Sequence, residues 1–227
     1  MKRYFLLLLF LLLLPIVSAA DQVVINSKDW RDIYTGILYA KLNGLDAHYV
    51  AKETQGLQLI EEVLNRGAVD ILLIESKEPL IFGYQLQLEK QGFKVEKFLS
   101  LDAQKTNLEY AKKAADEKGI ANFIVIDGSF GYDAISVAPY ALLTNSFVLF
   151  ADAENVDVLF SFLSASADNI LFYGHLNRAV KEELGVLNPL IINKGDRNQD
   201  NIEILKKFIN KKPTKQDLES LKVWASV

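Results

Sequence analysis

Beyond residue 21 the chain alternates between short apolar runs and longer amphipathic stretches. The runs are Val23–Ile25, Ala47–Val50, Ile71–Ile74, Lys94–Phe98, Phe123–Ile126, Phe147–Phe150, Ile170–Tyr173 and Pro189–Ile192. Most are too short for a helix, and their β-branched and aromatic residues predict strands. Nearly continuous apolar character, rather than strict alternation, suits a parallel sheet covered on both faces. The stretches between them carry apolar residues at helical spacing. In Thr54–Asn65, for example, Leu57, Ile60, Val63 and Leu64 form such a set. Strand and helix in regular alternation predict an α/β fold with mostly parallel β-sheets flanked by helices.

The alternation contains a duplication. Val24-Ile25-Asn26 followed by Asp32, Tyr39, Ala40 and Leu42 matches Val125-Ile126-Asp127 followed by Asp133, Tyr140, Ala141 and Leu143. Farther on, Asp70–Ile74 pairs with Asn169–Tyr173, Gly92-Phe93 with Gly185-Val186, and Leu108-Glu109 with Ile202-Glu203. The spacing between copies shrinks along the chain, which predicts a shorter third helix in the second copy. An ordered set of Asp, Tyr and Gly matches is more than generic α/β patterning supplies. The chain therefore reads as two tandem Rossmann-like repeats, residues 21–118 and 119–212, each with four strands and four helices. A tail, 213–227, follows. Leu218, Leu221 and Trp224 lie on one face of a helix expected within it, and no third copy begins there.

The first 20 residues belong to none of this. Lys2-Arg3, the leucine-rich run Tyr4–Val17 and the small residues Ser18-Ala19-Ala20 are the three parts of a secretory signal peptide. The apolar run is shorter than the roughly 20 residues of a spanning helix. An extracytoplasmic protein, secreted or held at the cell surface, is the expectation. Without residues 1–20, which carry two basic and no acidic side chains, the formal net charge moves from −4 to −6. Such a balance argues against nucleic acid as a partner. The absence of cysteine excludes a thiolate metal site, an iron–sulfur cluster and a thiol nucleophile. With His48 and His175 as the only imidazoles, a histidine-built metal site is not expected, nor is any cofactor.

Candidate chemistry gathers at the strand-to-helix junctions. In the second copy Asp127-Gly128-Ser129-Phe130-Gly131-Tyr132-Asp133 leads into an apolar helix. Glycines there can present backbone N–H groups to an anion. The three-glycine dinucleotide fingerprint and a Walker lysine are both missing, so a turn with a helix cap is the better account. Asp32 and Asp133 hold matching places in the first turn of their helices, where a carboxylate can cap N–H groups or face a ligand. Trp30 beside Arg31 is either a stacking and anion-binding pair or a hydrophobic cap. Arg197, within Asp196-Arg197-Asn198, belongs to a salt-bridged turn or an outward-facing contact. No Gly-x-Ser-x-Gly elbow surrounds Ser129, and no carboxylate pair stands out as an acid–base couple. His48 and His175 read as structural residues. The binding candidates are thus Trp30, Arg31, Asp32, Asp127, Ser129, Asp133 and Arg197, with no catalytic set.

The stretch Ile124-Val125-Ile126-Asp127-Gly128-Ser129-Phe130-Gly131-Tyr132-Asp133-Ala134-Ile135-Ser136-Val137-Ala138-Pro139-Tyr140-Ala141 resembles the strand, Gly turn and Ala-Pro helix of the cell wall-binding repeat 2 family of exported surface proteins. Asn145–Phe150 stands where that family has its next strand. Gly195-Asp196-Arg197 resembles the segment before its last helix. The first copy is more distant, with Ser27–Asp32 in place of the Gly turn, a form closer to archaeal envelope proteins. The resemblance implies a non-enzymatic module that holds an exported protein on the envelope. Relatives carry three repeats about a pseudo-threefold axis and bind an anionic wall polymer; this chain carries two. The expected partners are a cell-envelope polymer or surface-layer proteins, with a homo-oligomer left open. The alternative is an exported small-molecule-binding protein with two α/β lobes.

Overall fold

The computed structural model describes residues 21–215; the expected signal peptide and most of the expected tail helix lie outside the described residues. The first repeat runs β1 (Gln22–Asn26), α1 (Trp30–Leu42), β2 (Asp46–Tyr49), α2 (Gly56–Asn65), β3 (Asp70–Ser76), α3 (Tyr84–Lys90), β4 (Lys94–Ser100) and α4 (Ala103–Lys118). The second runs β5 (Asn122–Asp127), α5 (Gly131–Leu143), β6 (Ser146–Ala151), α6 (Val156–Ser166), β7 (Asn169–Tyr173), α7 (Arg178–Gly185), β8 (Leu190–Ile192) and α8 (Arg197–Asn210). Each repeat forms one four-stranded parallel sheet, with orders β2-β1-β3-β4 and β6-β5-β7-β8. These are two tandem Rossmann-like repeats of α/β class.

The central strands explain the apolar runs. All five residues of β1 are buried, because helices cover both faces of the sheet. Register follows: Gln22 pairs with Ile71 and Asn26 with Glu75 across β1–β3, while Asn122 pairs with Asn169 across β5–β7. Helix starts are written locally. Asp102 accepts from Gln104 N and Lys105 N, and its counterpart Asp196 accepts from Asn198 N and Gln199 N, so the last helix of each repeat has the same cap.

Two expectations need correction. The third helix is not shorter in the second copy: α3 has 7 residues and α7 has 8. The shortening falls in the connection before it, residues 77–83 against 174–177, where no periodicity marks the deletion. In α2 the buried apolar side chains are Leu59, Ile60 and Val63, whereas Leu57 and Leu64 are exposed.

The halves share a core. Residues Val24, Ile71, Leu73, Tyr84, Leu88 and Phe93 make a separate cluster on one side of the first sheet. A second, larger cluster runs continuously from Val23, Ile25 and α1 through α4 to the second sheet. Helices α1 and α4 pack on the first sheet and also against β6, with α1 reaching α5. Trp30 and Tyr34 set their rings 5.3 and 5.8 Å from that of Phe150. Asn107 of α4 does what a neighbouring strand would do for the edge of β6: its Oδ1 accepts from Phe150 N and its Nδ2 donates to Val148 O, each at 3.0 Å.

Candidate functional site

Both sheets end, at the carboxyl side of their strands, in a crevice framed by the β1–α1 or β5–α5 junction. In open parallel sheets ligands bind at that end, where the strand order reverses. The first crevice, about 600 Å³, is lined by Lys28 to Asp32, Ser76 to Glu78, Ser100 to Ala103, and by Gly128 and Ser129 of the second repeat. Its floor is Asp32, buried on the first turn of α1. Ser27 Oγ donates to Asp32 Oδ2 and Ser100 Oγ to Oδ1, both at 2.7 Å. Thr106 Oγ1 lies 2.7 Å behind Ser100 Oγ. Burial raises the Asp32 carboxyl above its ordinary range, more than the two hydroxyls lower it.

The cap of α1 is not Asp32 but Asp29, whose Oδ1 accepts from Arg31 N at 2.9 Å. Arg31 grips the same carboxylate, with Nη2 2.6 Å from Oδ2 and Nε 3.0 Å from Oδ1. Burial works against this carboxylate, but its bonds to Arg31 hold it below its ordinary value. The guanidinium is thus already engaged. Ser76 Oγ is buried near the same crevice without a hydrogen-bond partner among the described residues.

The second crevice, about 430 Å³, is lined by Phe130, Tyr132, Asp133, Gly174, His175, Asn193, Gly195, Asp196, Arg197 and Asp200. Asp133 is half-buried, and burial together with Asp200 and Asp127 pushes its carboxyl above the ordinary value. Gly174 has a φ of +73°, and a Cβ there would sit 2.5 Å from Asp133 Oδ2, so glycine is required on both counts. Asp200 is buried and accepts from Lys194 N at 2.6 Å. Arg197 stands 4.6 Å from the ring centre of Tyr132, a cation–π contact, and forms no ion pair among the described residues.

Of the seven sequence candidates, Trp30, Arg31, Asp32 and Ser129 come together at the first crevice, and Asp133 and Arg197 at the second. Trp30 serves chiefly as a packing surface, since Gly131 would bring a Cβ 3.5 Å from its indole. Asp127 closes its own turn by accepting from Ser129 N at 2.7 Å. Gly128 allows close approach as well, its virtual Cβ lying 3.0 Å from Phe150 Cβ. Sequence reasoning passed over Ser27, Ser100, Phe130, Tyr132 and Asp200. It set aside His175, which is exposed on the second crevice; His48 is buried in β2, with Nδ1 3.8 Å from Glu62. The doubled junction hinted at Ser27, Phe130 and Tyr132, which stand beside the matched aspartates, whereas Ser100 and Asp200 arrive from distant elements and carried no local signal.

A larger cleft, about 800 Å³, opens at the amino end of the second sheet. Its amides bond each other and the backbone, as Asn122 Nδ2 does to Thr144 O and Asn169 Nδ2 to Asn122 Oδ1. The hydroxyls of Ser27 and Ser100 are both spent on the buried Asp32, and no group of three His, Asp or Glu side chains among the described residues is placed to hold a metal ion. What the junction crevices offer is hydrogen-bond acceptors, cations and exposed aromatic rings.

No protein-family model matches the sequence, and no curated protein matches it. Solved structures do resemble its fold. Cwp6 from Clostridium difficile superposes with a TM-score of 0.71 at 17% identity, over 85% of this chain and 32% of that one. Cwp8 from Clostridium difficile gives 0.66 at 19% identity, over 83% of this chain and 33% of that one. Both are cell wall proteins, and this chain spans about a third of their length.

Proposed function

We propose that this chain is a non-enzymatic, exported module that attaches to the cell envelope, as a binding unit of a cell wall or surface layer. The observation that carries the reading is that both repeats together, rather than one generic α/β unit, superpose on cell wall proteins. The resemblance of the second junction to cell wall-binding repeat 2 proteins and the leader-like residues 1–20 point the same way. The junction crevices supply binding groups, and the Ser27 and Ser100 hydroxyls of the first are spent on the buried Asp32. A two-lobed receptor that closes about a hinge is less favoured, because α1 and α4 join the halves into one core.

The test is co-sedimentation of residues 21–227 with isolated envelope from the source cell. Retention in the pellet at low and moderate salt is expected. Full recovery in the supernatant under both conditions would overturn the reading.

A further inference from the structure

The matched carboxylates of the two repeats sit in unlike company. Asp32 receives one hydroxyl on each oxygen, from Ser27 and Ser100. Ser27 directly follows β1 as Gly128 follows β5, and Ser100 precedes the cap Asp102 by two residues as Lys194 precedes Asp196. The second repeat thus has Gly128 and Lys194 where the first has its hydroxyls. Asp133 accordingly accepts no hydrogen bond among the described residues, though it is half-buried against Gly174. A carboxylate withdrawn from water without donors is unfavourable, and donors from a ligand would relieve it.

The walls of the crevice narrow the ligand's chemistry. Phe130 and Tyr132 are 71% and 61% exposed, and only Tyr132 carries a side chain, Arg197, over one face of its ring. Asp133, Asp196 and Asp200 line the space with a single guanidinium, Arg197, which already lies over Tyr132. Three carboxylates against one cation oppose a polyanion. Hydroxyl donors and an aromatic face together suit a sugar ring.

Building on the envelope-module reading, we infer that the second crevice is a subsite for a neutral, hydroxyl-rich glycan unit. Two neighbouring hydroxyls of the sugar donate to Asp133 in the places that Ser27 and Ser100 take on Asp32. The aromatic ring of Phe130 or Tyr132 covers the sugar's apolar face. The polymer is recognised here through hydroxyls, not through negative charge.

Calorimetric titration of residues 21–227 with mannotetraose, maltotetraose and polygalacturonate tests this, alongside co-sedimentation of the same preparation. At least one neutral tetrasaccharide is expected to bind. Asp133→Ala should weaken it by about tenfold or more, the size of a hydrogen bond to a charged group, and the double substitution Phe130→Ala with Tyr132→Ala should weaken it as well. Lys194→Ser places a hydroxyl at the position equivalent to Ser100 and should weaken the sugar by competition, with an unchanged circular dichroism spectrum. Binding of polygalacturonate alone, or neutral binding indifferent to Asp133→Ala, would overturn the subsite. So would failure of both neutral sugars while envelope co-sedimentation persists, which leaves the envelope reading standing. Sugar binding that depends on Asp133 without any co-sedimentation would uphold the subsite and overturn the envelope reading alone.

Discussion

Replacing Asn107 by alanine tests how the two repeats are joined. The side chain is 1% exposed and makes three hydrogen bonds of 3.0 Å, to Thr35 Oγ1, to Val148 O and from Phe150 N. Alanine leaves the Phe150 N–H and the Val148 carbonyl unpaired on the edge of β6, where both residues are wholly buried. Each orphaned buried group costs about 1–3 kcal/mol, so the pair amounts to roughly 3–5 kcal/mol once partial relaxation is allowed for. A domain's whole stability is about 5–15 kcal/mol, so the substitution removes a large share of it. Urea unfolding followed by circular dichroism at pH 7 reads the loss as a lower midpoint. Asn107→Asp sharpens the test. It keeps the volume and the acceptor for Phe150 N–H, but turns a carboxylate oxygen toward Val148 O. Burial and that carbonyl would raise the new carboxyl's value in the native state, so stability should be poor at pH 7 and recover as pH falls and the group becomes a donor. A midpoint for Asn107→Ala equivalent to a loss under about 1 kcal/mol would refute the clamp, since a single exposed hydrogen bond accounts for that much.

Two further substitutions probe the junction and the helix–sheet contact. The Asp133 carboxyl is raised by burial and by Asp200 and Asp127, so the unfolded chain ionises first as pH rises and the native state loses stability above about pH 4. Asp133→Asn should therefore melt higher than the parent at pH 7, with the gap closing toward pH 3; equal melting temperatures at pH 7 would count against it. Gly36→Ala would place a Cβ 2.6 Å from Ile25 Cγ1 and 2.9 Å from Ile74 Cδ1, between α1 and its sheet. Overpacking of about 1–3 kcal/mol outweighs the gain of roughly 1 kcal/mol in helix propensity, so thermal unfolding should show a net loss. Gly185→Ala, with nothing within 4 Å of its Cβ, should be neutral or stabilising.

The strands, the parallel sheets and the duplication were readable in the sequence because each rests on local patterning. Runs such as Phe123–Ile126 must be buried on both faces wherever they lie, and a repeat declares itself by like residues at like spacing. The matched aspartates were visible for the same reason. What they touch was not. Asp32 meets Ser100, 68 positions away, because β4 joins the sheet beside β3 and brings the end of β4 over the start of α1. Asn107 sits in a helix rich in lysine and glutamate, and nothing local distinguishes it from a solvated residue until α4 is laid along β6. Glycines 128 and 131 read as a turn ahead of a helix, but only the fold shows that the space they leave is taken by Phe150 and by Trp30. Hydrophobic periodicity determines which side of an element faces inward. Which element it faces, and so which hydroxyl reaches which carboxylate, is decided by strand order and by loop lengths such as 77–83 against 174–177, which tertiary packing alone makes visible.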